Sequence, residues 1–405
     1  MARVMNLGTY MADFLLSFVT PDHLLSSRQK WVFGLVNLIS VVIFWVLSSF
    51  LVNDLLESDI YRKPFLITYI NTSCFCFYLI PYFRYEGLSI QEFVSRMKYD
   101  YHQIRLNHLA SPSLEEANEE EQTELRADYG SNDDLASTMT KNEPEQINIY
   151  ETCKLSLQFV ILWFGANLVT NASLSYTSVA LQTILLSTAS FFTLIIGYLC
   201  SIEKINSQKI IGIILSFIGV VIVTRVDSSS NTNNPPVLSS HYLVIWGNLL
   251  ALLGALIYGI YTILLKFKIM VPNNPSLERN LNTHLFFGFV GVFCLIFIWP
   301  FIIILHFTNL EHFQLPPSSR VVGLILINAV ITFISDFCWC KAVLLTSPLT
   351  VTVGLSLTIP LAMVGDWFIK GFVVNYTYLC GALIVTIGFL IINKDEENDF
   401  TTHED

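Results

Sequence analysis

The sequence has little charge for its length. Only 13% of its 405 residues are Asp, Glu, Lys or Arg, whereas a soluble globular protein carries about 25%. This deficit, together with 53% hydrophobic residues, argues against a soluble domain and indicates long uncharged stretches. About 20 consecutive apolar residues can cross the roughly 30 Å core of a bilayer as a helix, which satisfies its own backbone hydrogen bonds.

Ten apolar stretches of about this length are present, so the sequence predicts an all-α membrane protein with ten transmembrane helices. Two carboxylates, Asp336 and Asp366, are the only acidic side chains inside these stretches. The predicted spans cover residues 31–52, 64–83, 155–173, 176–200, 208–224, 243–265, 284–308, 321–342, 346–369 and 375–393.

The sequence also lacks the groups that an enzyme or a metal site would need within the predicted spans. None of the eight histidines lies in the middle of a span, and neither a nucleotide-binding loop nor paired metal ligands occur. The eight cysteines mostly lie in or beside apolar stretches, where cysteine behaves as a small hydrophobic residue. Cys338-Trp339-Cys340 lacks the spacing of a zinc site or a thioredoxin-like motif. The sequence therefore predicts no enzymatic activity, no cofactor and no metal.

The net charge of −10 has a local origin. Residues 112–150 contain eleven acids and two bases, so the rest of the chain is close to neutral. An acidic, aromatic-poor segment cannot bury enough apolar surface to offset the entropy cost of ordering it. We therefore expect residues 84–152 to form a cytosolic, acidic and disordered loop, either a solvated spacer or a regulatory segment. An acidic balance confined to one loop gives no reason to expect a nucleic-acid partner.

Lysine and arginine are distributed unevenly between the predicted loops, and the cytosolic loops of membrane proteins carry the excess. If the N-terminus is cytosolic, seventeen of the 22 basic residues lie on the cytosolic side and five on the opposite side. The other orientation would invert this count. We therefore expect cytosolic tails at residues 1–30 and 394–405.

An internal repeat without gaps relates the two halves of the chain. Shifting the sequence by 169 residues places the fourth and fifth predicted spans on the ninth and tenth. The matches are Thr177-Ser178 with Thr346-Ser347, Leu186-Ser187 with Leu355-Ser356, Gly212 with Gly381, and Ile218-Gly219 with Ile387-Gly388. The sequence thus predicts two five-helix repeats, at residues 31–225 and 243–393. Because five is odd, the second repeat must be inverted, as in many secondary transporters with a substrate site near the bilayer midplane.

Four segments resemble a known family: residues 63–69 (KPFLITY), 186–194 (LSTASFFTL), 286–300 (FFGFVGVFCLIFIWP) and 355–361 (LSLTIPL). Over nearly all its spans the chain resembles the drug/metabolite transporter superfamily (EamA-like). Within it, the chain is similar to the F branch of the solute carrier 35 family, close to its fungal vacuolar-membrane members. The resemblance implies ten spans, two five-helix units and transport by alternating access. It also implies an intracellular membrane: the vacuolar membrane first, with the Golgi or another endomembrane as the alternative.

Asp336 is the strongest candidate for a functional residue in the spans. It lies roughly 10 Å deep in the eighth span, where a carboxylate costs about 2.5–3.5 kcal/mol to insert and usually faces a partner or a water-filled path. Helical spacing places it on one polar face with four other side chains. These are Asn328, Thr332, Ser335 and Trp339. A structural hydrogen bond to a neighbouring helix is the alternative interpretation.

Further candidates for the solute pathway lie in the fourth, sixth and ninth spans. Tyr258 and Tyr261 of the sixth span suit stacking on a flat solute. The hydroxyl candidates of the fourth and ninth spans are Thr183, Ser187, Ser190, Thr350 and Thr358. Structural roles compete with each assignment, because small hydroxyl residues also permit close helix packing. Asp366, within a turn of the non-cytosolic end of the ninth span, is expected to reach water.

These features favour a secondary transporter for a small organic solute. No lysine or arginine is expected to be buried within a span, because Lys341 and Lys370 lie at helix ends, and this disfavours a nucleotide sugar, whose diphosphate needs cationic groups. An aromatic cavity with one acid suits a neutral or cationic heterocycle. The expected partners are the solute and the lipid bilayer, and the sequence is compatible with proton coupling and with a homodimer. The alternative is a membrane receptor or scaffold that has lost transport.

Overall fold

The computed structural model describes residues 27–57, 63–109, 146–173, 176, 179–230, 241–271, 274–308, 311, 313–370 and 376–401. This part of the chain is almost entirely helical, which confirms the predicted all-α membrane fold. Nine of its helical segments are long and apolar enough to cross a membrane. A shorter apolar helix, Pro348–Ala362, occupies the position of the ninth predicted span.

The first five spans come from the first half of the chain, and the second and fourth of them each contain two helices. In chain order the helices of this half are α1 (Ser27–Glu57), α2 (Pro64–Ser73), α3 (Leu79–Glu86), α4 (Ile90–Leu109), α5 (Ile149–Ser173), α6 (Val179–Ser187), α7 (Ala189–Leu199) and α8 (Ser207–Ser230). Helices α2 and α3 form the second span, and α6 and α7 form the fourth. Helix α4 is polar and follows the second span without being a span itself.

The second half repeats this division, because its second and fourth spans again contain two helices each. Its helices are α9 (His241–Ile269), α10 (Thr283–Phe293), α11 (Trp299–Phe307), α12 (Ser319–Leu345), α13 (Pro348–Gly354), α14 (Thr358–Lys370) and α15 (Tyr376–Thr401). Helices α10 and α11 form the seventh span, and α13 and α14 form the ninth. A short antiparallel hairpin, β1 (Met270–Val271) and β2 (Asn274–Glu278), follows the sixth span.

Four spans change their helical geometry near the middle. A 3₁₀ turn at Cys74–Tyr78 divides the second span, a π-helical turn at Cys294–Ile298 divides the seventh, and a 3₁₀ turn at Leu355–Leu357 divides the ninth. The fourth span is interrupted at Thr188. The interruptions therefore fall in the same two spans of each half.

The local sequence accounts for each interruption. Pro81, Pro300 and Pro360 each follow a turn closely, and proline lacks the N–H that a regular helix would use to bond the preceding turn. In the fourth span, the Thr188 hydroxyl donates to the Leu185 carbonyl oxygen at 2.5 Å and competes with the backbone ladder.

Helices from the two halves pair in a symmetric way. The first span packs along the eighth and the third along the sixth, while the second, fourth and fifth pack against the seventh, ninth and tenth. If the first five spans are exchanged in order with the last five, the same set of pairs results. The pair of the first and eighth spans, for example, becomes the pair of the sixth and third. The division into repeats at residues 31–225 and 243–393 stays a prediction, which this pairing supports.

The structure corrects the expected loop at residues 84–152. Helix α4 lies inside that range and is held to the bundle, because the Phe93 ring packs 6.0 Å from that of Phe289, and the Asp100 Oδ2 atom accepts a hydrogen bond from the Ile149 N–H at 3.0 Å. Residues 146–152 are also ordered, since Gln146 forms a β-bridge and α5 begins at Ile149. The acidic middle, residues 110–145, lies outside the described residues.

The expected C-terminal tail at residues 394–405 is also corrected. Helix α15 continues to Thr401, because Asp395 and Glu396 are buried against the start of the fifth span. Charged residues alone made this segment look like a tail, whereas the basic and polar partners that hold it lie nearly 200 residues earlier in the chain, at Asn206 and Lys209.

The fifth and tenth spans approach closely at matched glycines. A Cβ atom added at Gly219 would lie 2.8 Å from the Gly381 carbonyl oxygen, and one added at Gly388 would lie 2.7 Å from the Gly212 carbonyl oxygen. Only glycine lets the two backbones lie this close, as in other small-residue helix contacts. The four glycines that align in the repeat therefore form two cross-paired contacts in the fold, with Gly219 facing Gly381 and Gly212 facing Gly388.

Gly219→Ala should destabilise the protein by about 1–3 kcal/mol, because the new methyl group would overpack a contact formed by backbone atoms. Gly323→Ala is the matched control, since a Cβ atom at Gly323 meets nothing within 4 Å and gains helix propensity. Thermal unfolding of the purified variants measures both effects. Equal midpoints for the two variants would show that the glycine contact is not tight.

Candidate solute-binding site

Asp336 is buried in α12, with 7% of its surface exposed. Its Oδ2 atom has no hydrogen-bond partner among the described residues, and the same holds for the hydroxyl of the fully buried Ser335. An unpaired buried polar group costs about 1–3 kcal/mol, and more if it is charged. At each of these two groups, a bound solute, a water molecule or a proton would supply the missing contact.

Three tyrosines from two spans lie close to this carboxyl group. The charge of Asp336 acts electrostatically on Tyr78 of the second span and on Tyr258 and Tyr261 of the sixth. The Tyr78 hydroxyl donates to the Phe333 carbonyl oxygen, and its ring stacks on that of Phe333 with centroids 3.8 Å apart. The phenol is therefore held rigidly one turn from Asp336.

A chain of hydrogen bonds crosses the centre of the bundle beside Asp336. The Trp339 Nε1–H donates to the Tyr258 hydroxyl at 3.1 Å, and this hydroxyl also bonds to Thr352. The hydroxyls of Thr352 and Thr193 lie 3.4 Å apart. The chain joins the eighth, sixth, ninth and fourth spans, and so connects the two halves of the protein.

Aromatic rings fill the space next to this chain. The Tyr261 ring centroid lies 5.0 Å from that of Tyr258, 5.7 Å from that of Trp339 and 5.3 Å from that of Phe159, each at a steep interplanar angle. Edge-to-face pairs of this kind stabilise one another. The structure thus brings together Asp336, Ser335, Trp339, Tyr258 and Tyr261 among the candidates named from the sequence.

The other sequence candidates make local contacts. The Asn328 Oδ1 atom accepts a hydrogen bond from the Ser48 hydroxyl of the first span at 2.7 Å, so it ties two helices together away from Asp336. Three hydroxyls, those of Ser187, Ser190 and Thr358, donate to backbone carbonyls three residues earlier. Thr350 belongs to the N-terminal cap that Ser347 forms on α13, and Thr183 and Thr332 are half-buried. The side chain of Asp366 lies outside the described part of the chain.

Sequence reasoning missed two members of the hydrogen-bond chain, Thr193 and Thr352. The repeat held a signal for one of them, because the candidate Thr183 falls on Thr352 when the sequence is shifted by 169 residues. Thr193 lacks such a match and is recognised only when the fourth and ninth spans are packed together.

The bundle is closed at the end that carries Lys209, which we call the Lys209 end. There α7 packs against α13, and every residue of α13 is buried. Farther from this end, α6 packs against α8 and α9, whereas α14 packs against α1 and α15, and residues 355–362 are partly exposed. The fourth and ninth spans therefore meet at the Lys209 end and diverge toward the opposite end.

The expectation that no lysine is buried within the spans is wrong. Lys209, Lys266 and Lys341 are all buried. Lys266 is engaged in capping α12, because its Nζ atom donates to the carbonyl oxygens of Leu344 (3.0 Å) and Thr346 (3.1 Å). A cation is favourable at this position because the C-terminus of a helix carries partial negative charge. Burial was missed because these lysines lie near helix ends, where exposure is the usual expectation.

Comparison with known proteins agrees with this architecture. Residues 138–225 match the EamA-like transporter family. An uncharacterised vacuolar membrane protein of Saccharomyces cerevisiae is 44% identical, with 92% of this chain and 93% of that protein covered. Solute carrier family 35 member F5 of Mus musculus is 29% identical over 91% of this chain and 78% of its own length.

A solved crystal structure also matches the fold, with a TM-score of 0.56 at 10% identity, and covers 92% of this chain and 99% of that chain. The sequence comparisons confirm the resemblance to the F branch of the solute carrier 35 family, and the solved structure shares the overall fold. From its apolar helices and from a relative that it matches almost end to end, the chain is a multi-pass membrane protein that belongs to the EamA-like transporter family.

Proposed function

We propose that the protein is a secondary transporter that moves a small organic solute across an intracellular membrane by alternating access. The observation that carries this proposal is the buried and unpartnered carboxyl group of Asp336, next to a hydrogen-bond chain that joins both halves of the bundle. Membership of a transporter family supports the activity. Asp336 and Ser335 would contact the solute directly.

We favour a neutral or cationic heterocycle as the solute. The rings of Tyr258, Tyr261 and Trp339 offer apolar and cation-attracting surface, and Asp336 would accept a hydrogen bond from a solute N–H or pair with its positive charge. A diphosphate would instead need available cations. Lys209 and Lys266 are already engaged by carboxylates and backbone carbonyls, so a nucleotide sugar fits this site poorly.

Alternating access requires a second state that is open at the Lys209 end. In that state α7 would separate from α13, and α6 would approach α14. The interruptions within the second, fourth, seventh and ninth spans are suitable hinges, because irregular hydrogen bonding concentrates bending there. Since they fall in matching spans of the two halves, the same movement in each half would interconvert the two states.

We place the protein in the vacuolar membrane with the Lys209 end toward the cytosol. The vacuolar membrane name of the relative from Saccharomyces cerevisiae supports the location. The orientation follows from the excess of basic residues at this end and in the adjoining loops, because cytosolic segments carry that excess. Examples are Lys204, Lys209, Lys266, Lys268 and Lys394.

Tags placed at the N-terminus, within residues 112–150 and at the C-terminus should all be digested by protease added to sealed right-side-out vacuoles. The expected result follows from the distribution of the 22 basic residues. Protection of any one tag would contradict the proposed orientation.

Asp336→Asn should reduce solute flux about 10- to 100-fold, because a hydrogen bond to a charged group contributes about 1.5–3 kcal/mol. The substitution preserves volume and hydrogen-bonding capacity, so folded protein should be recovered in similar amounts. The measurement is flux into proteoliposomes over a range of pH, normalised to folded protein.

Asp366→Asn provides the matched control, because it makes the same chemical change in the other predicted intramembrane acid. This control should retain flux. Normal flux from Asp336→Asn at every pH would leave Asp336 as a structural residue and remove the main support for the site.

A further inference from the structure

The Lys209 end contains a buried ionic cluster that solute binding at Asp336 does not use. The Lys209 ammonium group, 1% exposed, lies 2.5 Å from Glu396 Oε1, 3.3 Å from Asp399 Oδ2 and 3.6 Å from Glu203 Oε2. Lys209 and Glu203 belong to the first half of the chain, and Glu396 and Asp399 belong to the second. The cluster therefore ties the two halves together at the closed end.

Glu203 is aimed into this cluster by a tight turn after α7. Ser201 has a left-handed backbone (φ 57°), and the Gly197 carbonyl oxygen accepts from the N–H groups of Ile202 (2.8 Å) and Glu203 (3.1 Å). The side chain then runs back across Gly197, where a Cβ atom would lie 2.5 Å from Glu203 Cγ. Glu203 Oε1 accepts the Leu349 N–H at 3.2 Å, in the first turn of α13. Glu203 thus bonds to the helix that must move away if this end opens.

The cluster holds more acid than base. If Glu203, Glu396 and Asp399 were all ionised around Lys209, the net charge would be −2, and Glu203 and Glu396 are only 4% and 5% exposed. The carboxyl groups of Glu203 and Glu396 both contact the Lys209 ammonium group, which brings them within reach of each other. Two carboxylates repel, whereas two carboxyl groups that share one proton form a hydrogen bond.

A fourth acid makes full ionisation still less favourable. Asp395 is buried beside the cluster, and its Oδ1 atom accepts a hydrogen bond from the Asn206 side chain at 3.0 Å. Its Oδ2 atom has no hydrogen-bond partner among the described residues. These acids do not form a group suited to a metal ion in the described part of the chain. The small ligand that fits the cluster is a proton.

We propose that the Glu203–Glu396 carboxyl pair is a proton-binding site that is occupied while the Lys209 end is closed and that releases its proton when this end opens. The proposal rests on the alternating-access function proposed above. Opening would withdraw the Leu349 N–H from Glu203 and expose both carboxyl groups to water. The proton would then leave to solvent, and each carboxylate would be hydrated.

The groups that face Glu203 come from several elements. The fifth span contributes Lys209, and the ninth contributes the Leu349 N–H. The tenth span contributes Glu396, with Asp395 and Asp399 next to it. The fourth and sixth spans contribute Gly197 and the Ile263 side chain. Lys204 and Lys394 are exposed nearby.

The sign of the pH effect follows from these neighbours. Burial, and then the charge of Glu396, raise the pKa of Glu203 well above its ordinary value of 4.5 in the closed state, and exposure to water would return it toward that value. The bound proton therefore favours closure fully below the pKa that Glu203 has in the open state. This contribution is lost as the pH rises through the pKa that Glu203 has in the closed state. Over the interval between the two values, one linked proton changes the closed-to-open ratio by up to about tenfold per pH unit.

Hydrogen–deuterium exchange of the full-length protein in lipid nanodiscs tests this proposal without any solute. The reporter is a peptide that covers residues 347–354, including the Leu349 amide that Glu203 holds. After correction for intrinsic exchange, its rate should rise by up to about tenfold per pH unit between pH 5.5 and pH 8. An unchanged corrected rate in the wild-type protein would overturn the proposal.

Glu203→Gln should remove this pH response and leave the peptide protected at both pH values. The amide still accepts the Leu349 N–H and donates to Glu396, and so imitates the protonated pair. Glu396→Gln should have the same effect and serves if Glu203→Gln does not fold. Either variant keeping the wild-type response would overturn the proposal.

Glu311→Gln is the matched control. Its carboxylate also accepts N–H groups at the start of a helix, those of Phe65 and Leu66, but it lies in the loop before α12. This variant should respond to pH as the wild-type protein does. A lost response in Glu311→Gln would mean that general destabilisation causes the effect, and it would overturn the assignment to Glu203. Because no transport is measured, absence of flux in liposomes would count against the proposed function and leave this result intact.

Discussion

The contact between α7 and α13 is the interaction on which the rest of the structure depends. It joins the fourth and ninth spans at the Lys209 end of the bundle, and these two spans diverge toward the opposite end. The bilayer makes such a contact demanding, because polar groups in it cannot turn to water and must find partners inside the protein. Glu203 supplies a partner for the first turn of α13 by accepting the Leu349 N–H, and Lys209 supplies one for α15 by pairing with Glu396.

Two buried acidic sites in the described part of the chain differ in a way that fits different roles. At the Lys209 end, an ammonium group and a backbone N–H hold the carboxyl groups. At Asp336, one oxygen has no hydrogen-bond partner within the described ranges, although three phenols lie nearby. The paired charges at Lys209 hold the two halves together and stabilise the state in which this end is closed. An unpaired carboxyl group in an aromatic setting is instead ready to accept a ligand.

Much of the fold could be predicted from the sequence, because it depends on local properties. Span length follows from apolar runs, and the matched glycines of the fifth and tenth spans follow from the repeat. Interruptions near Pro81, Pro300 and Pro360 follow from a missing N–H. The break at Thr188 could not be predicted in this way, because a hydrogen bond from a hydroxyl to the backbone competes with the helix only where packing permits.

The candidate site could be predicted only where local helical spacing brings residues together. Asp336 and Trp339 share a helix face, so spacing alone brought them together. Thr193 and Thr352 depend on two spans 159 residues apart in the chain. The burial of Lys209 depends on Glu396, whose position at the end of α15 looked like a solvent-exposed tail. Contacts between distant segments have no local pattern, and this limits what one sequence can show.

The most direct test of the account is to ask which compounds the purified protein accumulates. Proteoliposomes that contain the protein, and protein-free liposomes, would be incubated with a metabolite extract, washed and analysed by mass spectrometry. The account predicts protein-dependent accumulation of a neutral or cationic heterocycle. Accumulation of nucleotide sugars, or no accumulation above protein-free liposomes, would contradict it.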